Sequence, residues 1–520
     1  MSFNLVDEKW IPCVLLDGST DQFSLRDVFR QAKGIREIRD DSPLVTISLH
    51  RLLLAILHRN FGPRDFRQWE ELWRAGDFDQ QQLDAYFEQW HHRFDLFDAG
   101  RPFYQTGRME TKQPLPAATL FQQLAGGNNP TLFDHNLDRT PQLLGAPVAA
   151  RGVIGYQAYS IGFGKSPDCW IGGQRRKTGY RSDAPLARGL SLLLRGDSLL
   201  QTLLLNLSEY RDDEADAPVW EQDGPEGLTV RDSPTGRLDL YTWQTRLLRL
   251  EPEAAPNGAA CASWVHVAQG RKYSKEVEQR RGDPLKAYRR DEERGWLPLS
   301  PGEERALWRD SGALFELAHT DAPGREPPAL NWAARAVAAE CVARKHQYSL
   351  DVSGLCLEAG KAANVRLWRH ERMPVPGEYL GDVELVGELR RSLQAAEEVG
   401  QAVRRTSWRV CTAFLSLSAE RRPDREQVEH LLDHLAPERY YWSQLEVPFR
   451  QLLADLPADH LGGSARWRDA LRAAAQSAFQ RAAAALGPTM RAIRAVALHE
   501  GAFRGALNAI LPKEVGDATA

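Results

Sequence analysis

Val386-Gly387-Glu388-Leu389-Arg390-Arg391-Ser392-Leu393-Gln394-Ala395-Ala396 is the stretch on which the fold turns. Its apolar residues Val386, Leu389, Leu393 and Ala396, continued by Val403, recur in steps that keep them on one face of a helix. Such a stripe must be covered, and the sequence downstream supplies the cover. Asp424 with Gln427 three residues on has the form of a capping pair, and Val428, Leu431, Leu432 and Leu435 follow as a second stripe. Trp467, Leu471, Ala474, Ala478, Ala482 and Leu486 mark another helix, ended by Gly487-Pro488, where glycine accepts a left-handed cap and proline cannot extend the ladder. The last runs from Thr489 to about Leu511. Helices joined by short connections bury their stripes most simply as an antiparallel bundle.

Upstream of about Glu378 the texture differs. Short apolar runs, frequent Gly and Pro and a few helical stretches such as Leu49 to Asn60 replace the long periodic pattern, without regular βαβ alternation. The class expected is α+β: an irregular mixed α/β N-terminal domain over residues 1–375, then an antiparallel four-helix bundle over 376–520, the boundary lying in the Pro374 to Gly377 turn.

Of the 520 residues 42% are apolar and 26% charged, a composition that folds rather than one that stays disordered. The 66 Lys+Arg face 70 Asp+Glu, so there is no global positive field and any nucleic-acid role must rest on local patches. Met1 to Pro12 carries Asp7 and Glu8 and no apolar run, and no stretch of about 18 apolar residues occurs, so a cytoplasmic location without membrane contact is expected. The six cysteines, at 13, 169, 261, 341, 356 and 411, lie far apart and read as reduced core residues.

Two strings suggest an ATP-dependent helicase: Gly162-Phe163-Gly164-Lys165-Ser166, which looks like the end of a phosphate-binding loop, and the acidic box Asp213-Glu214-Ala215-Asp216. The first glycine of a phosphate loop would fall at Tyr159, the helix that should follow meets Gly172-Gly173, and the acidic box follows a polar stretch rather than a buried strand. His430 and His434 stand four apart, but Leu431, Leu432 and Asp433 between them lack the glutamate of a zinc protease, so a solvated helix face is the better reading. No catalytic residue, metal or cofactor is expected. Three basic clusters remain: Arg271 to Arg294, with Tyr273 and Tyr288; Lys361, Arg366, Arg369 and Arg372, with Trp368 and His370; and Arg175-Arg176-Lys177 beside a glycine pair. Together they fit a surface that meets phosphates. Arg468 with Arg472, and Arg491 with Arg494, share helix faces further on.

Phe3-Asn4-Leu5-Val6-Asp7-Glu8-Lys9-Trp10-Ile11-Pro12 resembles the opening of the CasA family, the large subunits of the type I-E CRISPR surveillance complex, Cascade. Arg101-Pro102-Phe103-Tyr104-Gln105-Thr106-Gly107, Gly126-Gly127-Asn128-Asn129 to Asn136, and Glu438-Arg439-Tyr440-Tyr441-Trp442-Ser443-Gln444 resemble further segments of that family in the same order. The resemblance implies a non-enzymatic subunit that reads the protospacer-adjacent motif of foreign duplex DNA, helps to open it for guide-RNA pairing and recruits a helicase-nuclease. Its partners would be the guide CRISPR RNA, the target duplex, and the backbone, handle-binding and small subunits of Cascade. By the same resemblance Phe133, Asp134 and His135 would meet the guide-RNA handle, His135 standing where the family has Asn. Gly162, Phe163 and Gly164 would form a glycine loop against the minor groove, Lys165 standing where members can have Gly. Lys275, or alternatively Lys272, would reach the motif from the other side, and Gly360-Lys361-Ala362 would be the wedge, with Lys361 where the family carries Gln. An ATP-driven helicase and a helical scaffold without nucleic acid are the alternatives.

Overall fold

The computed structural model describes residues 1–124, 141–162, 164–210, 215–222, 233–320, 328–358, 365–416 and 423–512. The chain forms two compact units: residues 1–307 with 317–381, and residues 308–316 with 382–520.

In the first unit the strands pair antiparallel into small sheets, most of them short apart from two long hairpins, as expected for a domain without βαβ crossovers. Its central element is the helix Pro43–Phe61, where proline occupies the first turn and residues are buried almost all round from Leu44 to His58. The helix Ala146–Tyr159 packs on it through small residues: a Cβ at Gly155 would stand 3.1 Å from Val45 Cγ2. Aromatic rings fill the space beyond, with Phe94 stacked on Phe103 at 5.1 Å and Phe103 on Trp220 at 5.9 Å. The Arg101 to Gly107 segment thus contributes core: Gln105 donates to the Leu96 carbonyl at 2.8 Å, and Gly107 lies so close to Gly100 that no Cβ fits.

Several buried charges in this unit are paired. Arg51 meets Asp283 at 2.6 Å, and Arg195 joins Glu37 and Asp351 at 2.6 and 2.9 Å. Arg372 closes the same network on Glu37 and Asp351; against the penalty of burial, His370, then Arg372 and the Arg195 charge, hold Asp351 well below the usual carboxylate range. This corrects the reading of the cluster around Arg366 to Arg372 as a phosphate surface. Arg366 pairs with Glu303 and Glu358, and Arg369 donates to the Gly302 and Glu303 carbonyls, so these arginines along the hairpin Gln347–Leu357 and Val365–Pro376 already have partners within the protein. Carboxylates distant in sequence supply the neutralisation.

The second unit is helical: Val383–Leu415, Arg425–Leu435, Pro437–Ser443, Glu446–Asp455, His460–Ala485 and Met490–Ile510. All five stripe residues of the first are buried. Asp382, Asp424 and Thr489 cap their helices through side-chain oxygens, and Gly487 takes φ +83° where the pattern stops. The stretch opened by Asp424 breaks into three short helices, at Ala436 with φ +44° and again before Glu446, so beyond Asp382 the described residues hold six helices rather than four. Residues 308–316, which sequence assigned to the N-terminal domain, belong here: Trp308 stacks on Phe449 at 4.7 Å, and Arg309 grips Glu397 while lying 3.5 Å from the Trp442 ring centroid.

Candidate nucleic-acid interface

The helix Ala146–Tyr159 ends at Ser160, and the chain turns into the glycine segment. Arg246, fully buried, donates to the Ile161 carbonyl at 2.8 Å and the Ser182 carbonyl at 2.9 Å, pinning the outgoing and returning arms together. Beyond that pin the arms pair as a short ladder: Arg181 N–H donates to Gly164 O at 3.2 Å, Ser166 N–H to Gly179 O at 2.9 Å, and Lys165 lies opposite Tyr180. Secondary bonds stiffen it, since Gly162 N–H donates to Asp183 at 2.7 Å and the Thr178 hydroxyl to Ser166 O at 2.9 Å.

The two described glycines differ in kind. At Gly162 a Cβ would stand 2.5 to 2.8 Å from the 181–183 backbone, so glycine is required there by the protein's own packing. Gly164 has φ +66°, and apart from its chain neighbours no atom lies within 4 Å of where a Cβ would stand, so the side on which a side chain would project is open. Lys165 is exposed, Tyr180 is 72% exposed, and Phe163 lies outside the described residues. The order helix, loop, strand is the reverse of a phosphate-binding loop, because Tyr159 ends a helix and donates from its buried hydroxyl to Ser191 at 2.7 Å. Of the acidic box, Asp216 accepts from the Leu238 and Asp239 amides, at 2.9 Å each, as a structural cap; Asp213 and Glu214 lie outside the described residues.

Gln269 ties this loop to the second candidate segment. It ends the strand Ala260–Gln269; its backbone N–H donates to Ser166 Oγ at 2.8 Å and its side chain accepts from Gly179. The chain then runs through Gly270 and Arg271 to Lys272, which is exposed, and Lys275, exposed on the first turn of the helix Lys275–Arg281 capped by Ser274. Not every cation of the Arg271 to Arg294 cluster is available. Arg271 pairs with Asp239 at 3.0 Å beside Trp243, and the buried Lys286 meets Glu278 and the Pro185 carbonyl, so these two cations are turned inward rather than toward a phosphate. Lys272, Lys275, Arg280, Arg289, Arg290 and Arg294 remain on the surface.

The third cluster sits on the hairpin Cys169–Ile171 and Gln174–Arg176, with Arg175, Arg176 and Lys177 exposed past the Gly172-Gly173 turn. Arg175 reaches Asp168 and holds that half-buried carboxylate below its usual range. Phe133, Asp134 and His135, and Gly360, Lys361 and Ala362, lie outside the described residues. His430 and His434 are exposed on their helix, and no group of three or more metal-ligating side chains occurs among the described residues. Sequence reasoning missed Arg246, Asp183 and Gln269; each is a polar residue whose partner lies far along the chain, which no local pattern announces.

Residues 4–485 match the family model described as CRISPR-associated protein Cse1. The CRISPR-associated protein CasA/Cse1 of Thermus thermophilus is 32% identical over 524 residues, spanning 99% of this chain and 98% of its own. The crystal structure of Thermus thermophilus CasA superposes with a TM-score of 0.80 at 28% identity, covering 98% of this chain and all of that one. A chain of a CRISPR RNA-guided surveillance complex shares the fold with a TM-score of 0.78 at 20% identity, over 97% of this chain and 99% of that one. Similarity along nearly the whole length, by sequence and by fold, makes this chain a member of the CRISPR-associated CasA/Cse1 family.

Proposed function

We propose that this protein is the non-catalytic large subunit of a type I-E CRISPR surveillance complex in the cytoplasm, reading a short duplex tag beside the target while the guide RNA reads sequence by base pairing. The observation that carries the reading is the pinned loop at Gly164. Its Cβ side is unobstructed and its backbone is held at positive φ, it is followed by exposed Lys165, and it is tied through Gln269 to the strand that leads to Lys272 and Lys275. A rigid backbone without a side chain suits close approach to the minor-groove floor, and a lysine beside it suits the acceptors presented there. That groove carries a degenerate code, so several related tags would be accepted. Lys361, with Gly360 and Ala362, would push at the first base pair opened. Phe133, Asp134 and His135 would hold the guide-RNA handle. The helical unit would serve as a docking platform for companion subunits and the recruited helicase-nuclease.

The test uses the complex assembled with guide RNA and companion subunits, on matched, tag-scrambled and pre-melted targets. Gly164→Asp weakens binding to tag-bearing duplex. Lys275→Ala costs on the order of 1 to 3 kcal/mol and alters tag preference, whereas a phosphate contact weakens all sequences alike. Lys361→Ala slows opening and is rescued by pre-melting. Unchanged behaviour of all three variants rejects the assignment.

A further inference from the structure

A second site stands apart from the Gly164 loop. A cavity of about 450 Å³ opens against the sheet formed by Met109–Thr111, Cys169–Ile171 and Gln174–Arg176. Cys169 and Ile171 are buried on the core side, so Trp170 between them projects to the other face, half-exposed; the register sets Glu110 and Arg175 directly across from it on the two flanking strands. Arg108 and Arg249 line the same cavity. Arg249 spends its Nε on the Met109 carbonyl, and among the described residues neither its terminal nitrogens nor the Arg108 guanidinium meets a hydrogen-bonding partner. Asp98, also on the wall, is already satisfied by the Gly100 and Arg101 amides, which leaves Glu110 as the acid facing the space.

The backbone around it is strained in a way that aims these groups. Tyr104 and Arg108 are both left-handed, at φ +57° and +53°, a conformation that non-glycine residues rarely adopt. Gly107 between them is jammed against Gly100, and the Arg108 carbonyl is locked by Gly172 N–H at 3.0 Å. An arginine held in that conformation beside a half-exposed indole and a bare Gly172-Gly173 turn points to a ligand both planar and anionic.

We propose that this cavity binds one unpaired nucleotide, its base on Trp170 and its phosphate between Arg108 and Arg249. Indole supplies a stacking face that any base can use, and two guanidinium groups supply the donors a phosphate needs. The volume lies in the range of small-ligand sites. Glu110, beside the stacking face, accepts from base N–H groups and so prefers guanine, whose ring and exocyclic N–H donors lie side by side. Arg175, Arg176 and Lys177 continue from the same hairpin as an exposed basic run, which suits a strand longer than the single bound nucleotide.

Fluorescence anisotropy on the full chain tests this, with a labelled single strand of about six nucleotides containing one guanine, and with GMP as competitor. Trp170→Ala and Arg108→Gly are expected to weaken the strand by about tenfold each, while Trp170→Phe retains most of the affinity. Arg108→Gly keeps the test independent of folding, because glycine accepts the left-handed backbone and the melting temperature does not fall. Competition by GMP identifies a free nucleotide as a ligand, and binding of the strand alone identifies single-stranded nucleic acid; either upholds the site. Failure of the wild-type chain to bind either probe, or binding by folded Trp170→Ala and Arg108→Gly within about twofold of wild type, overturns it. Duplex binding by the assembled complex does not depend on Trp170, so the result is separable from the reading of the Gly164 loop.

Discussion

At the residue scale, the contrast between Gly162 and Gly164 separates packing from exposure within one short loop. Gly162→Ala forces a methyl into the 181–183 backbone and is expected to destabilise the fold by about 1 to 3 kcal/mol, the usual cost of overpacking. Gly164→Ala adds only the strain of a left-handed alanine, about 1 kcal/mol, because nothing stands in its way. Urea denaturation ranks the two, and a larger loss at Gly164 contradicts the geometry. His50 gives the molecule a pH dependence. It is completely buried on the central helix, its Nδ1 is 2.8 Å from the Thr46 carbonyl, and burial pushes its pKa down to about 4. The unfolded chain binds this proton near pH 6.5 and the folded chain does not, so the stability contribution is complete above about 6.5 and shrinks as pH falls toward 4, by about 3 kcal/mol. His58, also fully buried and shifted the same way, adds to the slope. His50→Asn should remove about one proton from the pH dependence of unfolding in that window, and an unaltered slope excludes the assignment.

At the scale of elements, the loop is only as rigid as its pin. Arg246→Met leaves the Ile161 and Ser182 carbonyls without their buried donor, at about 1 to 3 kcal/mol for each group. The expected phenotype is local: faster proteolysis and hydrogen exchange between residues 160 and 184, with the helix Val383–Leu415 as protected as before. Uniform loss of protection would mean that Arg246 supports the whole core instead. The long helices were legible from sequence because a stripe such as Val386 to Val403, a capping Asp or Thr, and Gly487-Pro488 are all local signals. The small sheets were not. Thr111 pairs with Cys169 in strands of three residues, too few to alternate visibly, while the eleven-residue strand that pairs Ser349 with Arg195 is buried on both faces over most of its length and shows no alternation to read. The site divides along the same line. Its open glycine and exposed lysines follow from a resemblance written in contiguous residues, whereas the side chains that hold them, Arg246, Asp183 and Gln269, act across gaps that only folding closes.

For the whole molecule, the division into units has one irregularity with measurable effects. Residues 308–316 lie within the chain of the first unit and pack in the second, where Trp308 covers Phe449 and Arg309 covers Trp442 and Glu397. A fragment beginning at Asp382 therefore exposes that aromatic surface. It is expected to aggregate or melt well below the same fragment given residues 308–316 through a linker, and equal melting temperatures would show the segment to be dispensable. The same irregularity bears on synthesis. On the ribosome, Trp308 and Arg309 emerge roughly 130 residues before Trp442 and Phe449, a wait of about 7 to 26 seconds at ordinary elongation rates. For that interval the nascent chain carries an unsheltered tryptophan in the middle of an otherwise complete stretch, so a slowed ribosome downstream of residue 316 lengthens chaperone dependence without any change in the finished protein.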